Sequence, residues 1–199
     1  MKSVIIATKN KGKAREFEQL FSKYGMEVKT LIDFPDVADI EETGETFEEN
    51  AIIKAEAIAQ LANSIAVADD SGLVIDALDG RPGVFSARYA GAGKNDEDNI
   101  DKVLDEMEAI NEEERTARFY CALAIAGPSF ETVTVSGTCE GKILNERRGS
   151  EGFGYDPIFF VPTEGKTMAE LTPGRKNELS HRAAAMKNLE PYIEKLSFK

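Results

Sequence analysis

Short apolar runs typical of strands alternate along the chain with apolar residues at helical spacing, which predicts a mixed α/β fold. Five apolar runs have the length and composition of buried strands. They cover Ser3 to Ala7, Ile65 to Ala68, Arg118 to Ala126, Thr132 to Thr138 and Ile158 to Val161. The third and fourth runs are joined across Gly127-Pro128, so we expect them to form a long β-hairpin.

Helical patterns separate these runs. The first helix is predicted from the loop after Thr8 to about Tyr24, with one apolar face of Ala14, Phe17, Leu20 and Phe21. The second begins at Thr46, where Thr46 and Glu49 can form a capping box. Its apolar stripe comprises Phe47, Ala51, Ala55, Ile58 and Ala62. A third helix is predicted over Asn95 to Met107, and the last helix starts near Asn177.

The composition limits the kinds of protein to which this chain can belong. The chain has 199 residues, of which 42% are hydrophobic and 30% charged, and we expect one domain over residues 1–199. The apolar run after Lys2 is too short for a secretory signal, and Cys121 and Cys139 have no metal-ligand spacing. We therefore expect reduced thiols and a cytoplasmic location, with a disulfide as the alternative. The net charge of −12 argues against nucleic acid as a partner.

The loop between the first strand and the first helix reads Thr8-Lys9-Asn10-Lys11-Gly12-Lys13. Backbone N–H groups at a helix N-terminus, with lysines beside them, favour an anionic phosphate. The loop is not a P-loop, since GxxxxGK[ST] is absent. An ordinary polar loop is the alternative interpretation.

Acidic residues follow the predicted strand Ile65 to Ala68. Asp69-Asp70-Ser71-Gly72 comes where ligands usually bind in α/β proteins, and a carboxylate there can hold Mg²⁺ or activate water. The two acids would point to opposite faces of a regular strand, so we expect one of them in the site. An Asx-type turn would also explain Asp-Ser-Gly. Glu41-Glu42 and Lys54 are further candidates, although an acidic loop and a solvated lysine are both commonplace.

A glycine-rich segment near the C-terminal third presents two aromatic residues. It reads Gly149-Ser150-Glu151-Gly152-Phe153-Gly154-Tyr155-Asp156-Pro157, and a purine could stack on one of its rings. For Tyr155, packing in the core is an equal alternative. Lys176, His181 and Arg182 follow, and such donors suit the 6-keto edge of a purine better than the 6-amino edge of adenine.

Six motifs together resemble the inosine/xanthosine triphosphate pyrophosphatase family. In chain order they are Ala-Thr-Lys-Asn-Lys-Gly-Lys at 7–13, Glu-Glu-Thr-Gly at 41–44 with Glu-Asn-Ala at 49–51, Ala-Asp-Asp-Ser-Gly-Leu at 68–73, Pro-Gly-Val-Phe-Ser-Ala-Arg-Tyr-Ala-Gly at 82–91, Gly-Phe-Gly-Tyr-Asp-Pro at 152–157 and Ser-His-Arg at 180–182. They span nearly the whole chain in the family's order. Single motifs of this kind are weak, but six in order are specific.

The resemblance implies an elongated mixed β-sheet with flanking helices that form two lobes around a nucleotide-binding cleft, in a homodimer. It implies Mg²⁺-dependent hydrolysis of ITP, dITP and XTP to the monophosphate and pyrophosphate, which cleanses the nucleotide pool. Asp70 would be the catalytic carboxylate and a metal ligand, supported by Glu41 or Glu42. The implied substrate-binding residues are Thr8, Lys9, Asn10, Lys11, Gly12, Lys13, Lys54, Ser71, Phe153, Gly154, Tyr155, Asp156, Lys176, His181 and Arg182.

Three rival functions remain at this stage. A non-catalytic nucleotide sensor could dispense with Asp70 and the Glu41-Glu42 pair, so their joint presence favours an enzyme. A serine hydrolase could use Ser71 and His181, but no GxSxG elbow surrounds Ser71. A pyrophosphatase acting on other nucleotides, such as modified pyrimidines, is the rival that the sequence separates least.

Overall fold

A mixed seven-stranded sheet with flanking helices is built from residues 3–38, 40–93 and 95–197, which the computed structural model describes. The strands are β1 (Ser3–Ile6), β2 (Glu27–Thr30), β3 (Ile65–Ile75), β4 (Thr116–Gly127), β5 (Phe130–Ile143), β6 (Phe159–Val161) and β7 (Lys166–Thr167). Their order in the sheet is β2-β1-β3-β4-β5-β6-β7. β1 pairs in parallel with β2 and β3, whereas β6 pairs antiparallel with β5 and β7. The predicted α/β class is confirmed.

The helices are α1 (Lys11–Ser22), α2 (Phe47–Ala62), α3 (Asp96–Glu106), α4 (Pro173–Leu179) and α5 (His181–Ser197). The apolar face predicted for α1 is buried, and the capping box of Thr46 and Glu49 is present at the start of α2. Ala62 was wrongly included in the apolar stripe of α2, since it is exposed and Ala59 is buried instead. Ala62 is the last residue before Asn63, which ends the helix in the left-handed conformation.

Strand β3 is longer than predicted. It does not end at Ala68 but continues without interruption through Asp69, Asp70 and Ser71 to Ile75. The continuation follows from the apolar residues beyond Gly72, because Leu73 and Ile75 are fully buried in an extended chain. The Asx-turn interpretation of Asp-Ser-Gly is therefore wrong, and both acidic residues lie within a strand.

The C-terminal helical region is divided in two. The prediction of one helix from near Asn177 is wrong, because α4 ends at Leu179 and Ser180 is extended. The Ser180 hydroxyl accepts a hydrogen bond from the backbone N–H of Ala183, so Ser180 caps the following helix. His181 is consequently the first residue of α5.

The chain forms two compact units, each with its own apolar core. Residues up to Asp70, Cys121–Gly137 and Ala185 onward form the first unit, and Ser71–Tyr120 with Thr138–Ala184 form the second. The first core includes Val4, Ile6, Phe17, Phe21, Val67, Leu123, Ile125 and Leu189. The second includes Leu73, Ile100, Val103, Met107, Phe119, Ile143, Ile158 and Phe159. Neither unit is one continuous stretch of chain, and the prediction of a single domain over 1–199 stays a prediction.

Both cysteines are free thiols with buried side chains, as predicted. None of the helices in the described part of the chain has the length and apolarity that crossing a bilayer requires.

A buried arginine in the second unit connects the segment after α3 to the end of β5. Arg115 is 2% exposed, and its guanidinium donates hydrogen bonds to the carbonyl oxygens of Met107, Ile110, Ile143 and Leu144 at 2.6 to 3.3 Å. Burial lowers the pKa of this guanidinium. The flat fork of arginine can serve several carbonyls at once, which a lysine ammonium on a flexible stem does less well.

We expect Arg115→Met to destabilise the protein, because it leaves several buried carbonyl oxygens without their donor. The free energy of unfolding should fall by about 3 kcal/mol or more, measured by chemical denaturation. Arg118→Ala is the matched control, since the ion pairs of Arg118 with Asp76 and Glu140 are partly exposed and should be worth less than about 1 kcal/mol. Equal losses for the two variants would contradict the structural role of Arg115.

The cysteines give a second prediction. Burial, together with the charge of Glu140, raises the pKa of the Cys139 thiol to about 11. Because the thiolate is the reactive form, we expect Cys139 in a Cys121→Ser variant to react slowly with Ellman's reagent at neutral pH. The reaction should accelerate as the pH rises toward that pKa and become immediate in guanidinium chloride. Immediate reaction of the folded variant at neutral pH would show that the thiol is accessible.

Candidate active site

Strand β3 directs its two adjacent carboxylates to different partners. The Asp69 carboxylate accepts a hydrogen bond of 2.6 Å from the Lys13 ammonium. The Asp70 carboxylate is bound instead by Asn50 and Lys54, two side chains of α2. Successive residues of a strand point to opposite faces, so this division of partners follows from the extended backbone.

The Lys54 ammonium is the centre of the first cluster. It donates to Glu42 Oε1 at 2.7 Å, to the backbone carbonyl of Asp69 at 2.7 Å and to Asp70 Oδ1 at 3.4 Å. An ammonium has three protons, and these three acceptors match that number. Lys54 therefore brings Glu42 and Asp70, which are 28 residues apart in the sequence, to one positive charge.

The ionisation of these groups is shifted by burial and by their mutual contacts. Burial raises the pKa of the Asp70 carboxyl above its ordinary value, and the nearby Glu42 and Asp69 charges add to the rise. The charge of Lys54 and the Asn50 hydrogen bond oppose it without cancelling it. Burial by itself would lower the pKa of Lys54, but Asp70, Asp69 and Glu42 outweigh it, and the net shift of that pKa is upward. Acidic groups with raised pKa values in such clusters are typical of functional sites.

Asp70 and Glu42 fit the needs of a hydrated divalent cation. Their carboxylates share one ammonium, and a single positive charge does not balance two negative ones, of which Asp70 is buried and Glu42 half-buried. Among the described residues, no three His, Cys, Asp or Glu side chains form a ready metal cage. Mg²⁺ commonly uses one or two carboxylates and completes its shell with waters and phosphate oxygens, so two carboxylates suffice. Glu41 is exposed, whereas Glu42 is half-buried against Lys54.

The N-terminus of α1 lies in the same unit. The Asn10 side chain accepts hydrogen bonds from the backbone N–H groups of Gly12 and Lys13 at 2.8 and 3.1 Å, and the Asn10 backbone N–H donates to Thr8 Oγ1. No acidic residue lies in the first turn of the helix, so the positive end of its dipole is not neutralised from within. Lys9 and Lys11 are exposed, and the Lys9 ammonium contacts the backbone carbonyl of Val37.

A second cluster involves the glycine-rich segment and α4. The Lys176 ammonium forms an ion pair with Asp156 and lies 4.7 Å from the centre of the Phe153 ring. The Asp156 carboxylate also accepts a hydrogen bond from the Phe153 backbone at 2.9 Å. Gly152 has a φ of +85°, and a Cβ there would collide with the Asp156 carboxylate. Phe153 is 58% exposed, so its ring is available for stacking.

Other residues of the glycine-rich segment have structural contacts. The Tyr155 side chain is buried in the core of the second unit, and its hydroxyl donates to the Ser86 carbonyl at 2.8 Å. Burial raises the pKa of Tyr155. The core interpretation therefore applies to the Tyr155 ring, and any contact with a ligand would come from its backbone. The Gly154 backbone N–H donates to Asp96 at the start of α3.

The start of α5 carries the remaining predicted residues. The His181 ring stacks on Phe119, with ring centroids 5.1 Å apart and an angle of 22° between the planes. The buried Arg182 donates to the Ser71 hydroxyl at 3.4 Å. A guanidinium cannot act as a general base, so this contact does not activate Ser71 as a nucleophile.

The structure thus sorts the predicted residues into groups. Glu42, Lys54 and Asp70 form one group, and Lys13 pairs with Asp69. Phe153, Asp156 and Lys176 form another group, and Ser71 contacts Arg182. The sequence analysis assigned no role to Asn50 or to Asp69, which bind Asp70 and Lys13 respectively. A signal for Asn50 existed, because it lies one helical turn before Lys54 and therefore on the same side of α2.

Comparisons with known proteins agree with these motifs. Residues 4–192 match the Ham1 family. A Halalkalibacterium halodurans protein named dITP/XTP pyrophosphatase is 59% identical over 194 residues, covering 98% of this chain and 100% of that protein. A Bacillus anthracis protein of the same name is 57% identical, covering 97% and 96%. The structure of the Staphylococcus aureus Ham1 protein superposes with a TM-score of 0.91 at 44% identity, covering 98% and 100%.

The match extends over nearly the whole chain, and the identity exceeds half in the two curated relatives. The family predicted from the six motifs is therefore confirmed. This chain belongs to the Ham1 family.

Proposed function

We propose that this chain hydrolyses non-standard purine nucleoside triphosphates, namely ITP, dITP and XTP, to the nucleoside monophosphate and pyrophosphate, with Mg²⁺ as cofactor. The observation that carries the proposal is the buried Asp70 carboxylate, which shares the Lys54 ammonium with Glu42 beside a lysine-rich helix N-terminus. The relatives named dITP/XTP pyrophosphatase support the same activity. Such an enzyme removes nucleotides that would otherwise be incorporated into nucleic acids.

The first cluster provides the groups that the reaction needs. Asp70 and Glu42 would hold Mg²⁺, which neutralises phosphate charge when it is bound. Asp70 orients the attacking water and takes up its proton as the phosphoanhydride bond breaks. Lys13 and the N-terminus of α1, with Thr8 to Gly12, hold the phosphates by charge and by backbone N–H groups. Lys54 keeps the two carboxylates close together.

The second cluster suits the base and the sugar. The exposed face of Phe153 offers a stacking surface, and Lys176 is fixed beside it by Asp156. Donors from Lys176, His181 and Arg182 match the acceptors O6 and N7 of a 6-keto purine. Adenine would place an amino donor against these donors, so we expect ATP to be a poor substrate.

Two rival functions are weaker than this one. A sensor without catalysis does not need a buried carboxylate that shares a lysine with a second one. A serine hydrolase needs a base at Ser71, whereas the Ser71 hydroxyl contacts Arg182.

The resemblance also supports a homodimer, and the two free thiols support a location in the cytoplasm. Both are part of the proposal. A negatively charged enzyme of small nucleotides needs no nucleic acid or membrane partner for this reaction.

Asp70→Asn tests the catalytic assignment, since it removes the charge while keeping the shape of the side chain. We expect the wild type to release pyrophosphate rapidly from ITP, dITP and XTP only when Mg²⁺ is present, and slowly from ATP, whose base has an amino group at position 6. The variant should lose about a thousandfold or more in kcat, because metal-ion and general-base catalysis both depend on this carboxylate. Tight ITP binding by the wild type without release of pyrophosphate would identify a sensor.

Phe153→Ala tests the stacking surface. Loss of one base–aromatic stack costs about 1–3 kcal/mol, so the KM for ITP should rise by about five- to a hundredfold. Phe85→Ala is the matched control, because Phe85 is 56% exposed and also lies under a cation, Arg88. An equal effect of both variants on KM, or no effect of Phe153→Ala, would contradict the role of Phe153 in base binding.

A further inference from the structure

We propose that Asn50 is a positioning residue that fixes the orientation of the Asp70 carboxylate for the reaction. The inference rests on the proposed function, in which Asp70 holds Mg²⁺ and orients water. It concerns a side chain in the first turns of α2 that is 1% exposed. A buried amide must satisfy its donors and its acceptor, so its contacts are informative.

The amide of Asn50 links a backbone group to the catalytic carboxylate. Its Oδ1 accepts a hydrogen bond of 2.8 Å from the backbone N–H of Gly44. Its Nδ2 donates to Asp70 Oδ2 at 3.2 Å. The contact with Gly44 decides which end of the amide faces Asp70, because the oxygen must accept from that N–H and the NH₂ group is then turned to the carboxylate.

The two oxygens of Asp70 are thereby held by two donors from one helix. Oδ2 is bound by Asn50 and Oδ1 is contacted by Lys54, four residues later in α2. One donor on a carboxylate leaves it free to rotate about its last bond, whereas two donors on different oxygens define its plane. Groups that orient a ligand or a catalytic carboxylate in this way commonly affect activity about ten- to a hundredfold.

The loop that holds Asn50 is itself closely packed on α2. A Cβ at Gly44 would lie 2.6 Å from Glu49 Cβ and 2.8 Å from Asn50 Oδ1, so glycine allows the close approach. Glu49 accepts hydrogen bonds from the backbone N–H groups of Glu45 and Thr46. The Gly44 N–H therefore occupies a defined position, and it fixes the amide in turn.

A purely structural role is the rival explanation, in which Asn50 only anchors the Gly44 loop to α2. Asn50→Asp separates the two roles, because an aspartate keeps an oxygen for the Gly44 N–H but presents no NH₂ group to Asp70. Leucine is similar in size to asparagine and carries no charge. Asn50→Leu therefore shows whether the loss of activity in Asn50→Asp comes only from the added negative charge. Thr46→Ala is the matched control, since it weakens the capping box of the same helix without touching Asp70.

The experiment compares kcat and KM for ITP in these three variants, together with their melting temperatures and their calorimetric affinity for Mg²⁺ without nucleotide. We expect Asn50→Asp and Asn50→Leu to lower kcat by about ten- to a hundredfold, with KM changed by less than about threefold. Asn50→Leu should also weaken Mg²⁺ binding by about tenfold or more. Thr46→Ala should lower the melting temperature but keep kcat and the Mg²⁺ affinity of the wild type.

The positioning role is overturned if either Asn50 variant keeps the kcat of Thr46→Ala, or if Asn50→Leu binds Mg²⁺ as tightly as the wild type. A rise in KM at constant kcat would also overturn it. Failure of the proposed function has a different signature, since the wild type and Thr46→Ala would then release no pyrophosphate. The Mg²⁺ affinities would still report on the contact between Asn50 and Asp70 in that case.

Discussion

The ammonium of Lys54 connects the parts of the first cluster to one another. It reaches the loop residue Glu42, the backbone of Asp69 and the carboxylate of Asp70 at the same time. Buried carboxylates are costly unless a cation is near, and Lys54 supplies that cation from the same helix that carries Asn50. The position of Glu42 beside Asp70 depends on this one charge, which also opposes the rise that burial causes in the pKa of Asp70.

Local signals in the sequence predicted much of the fold. The capping box at Thr46 and the apolar face of α1 depend on residues within one or two turns, and both are confirmed. The prediction that β3 ends at Ala68 is wrong, because the polar residues after Ala68 suggested a loop. The prediction of one continuous helix from near Asn177 is also wrong, because the helix is interrupted at Ser180. Extended backbone through Asp69 and Asp70 is stabilised by sheet pairing and burial, which a local pattern does not contain.

The sequence identified some residues of the candidate site and could not distinguish or assign others. Asp70, Lys54 and Lys13 were singled out by charge and by the resemblance. In the structure Lys54 pairs with Asp70, and Lys13 pairs with the neighbouring Asp69. The sequence could not separate Glu41 from Glu42, because only the folded loop shows which of them meets Lys54. Tyr155 looked as suitable as Phe153 for stacking, and burial distinguishes the two rings. Asn50 belongs to the Glu-Asn-Ala motif at 49–51 but received no role, because an amide in a helix has no distinctive chemistry until its partners are known.

The continuity of β3 has a consequence for how this region can change in evolution. A strand alternates its side chains strictly, and a residue inserted or deleted before Asp69 would move each acid to the opposite face. After an insertion Asp69 would take the place of Asp70, and Asp70 that of Ser71. After a deletion Asp70 would take the place of Asp69 beside Lys13 and would lose Asn50 and Lys54. Homologous chains can therefore vary in the loops before and after this strand, but the spacing from Ile65 to Asp70 should keep its length wherever the pair of acids is retained.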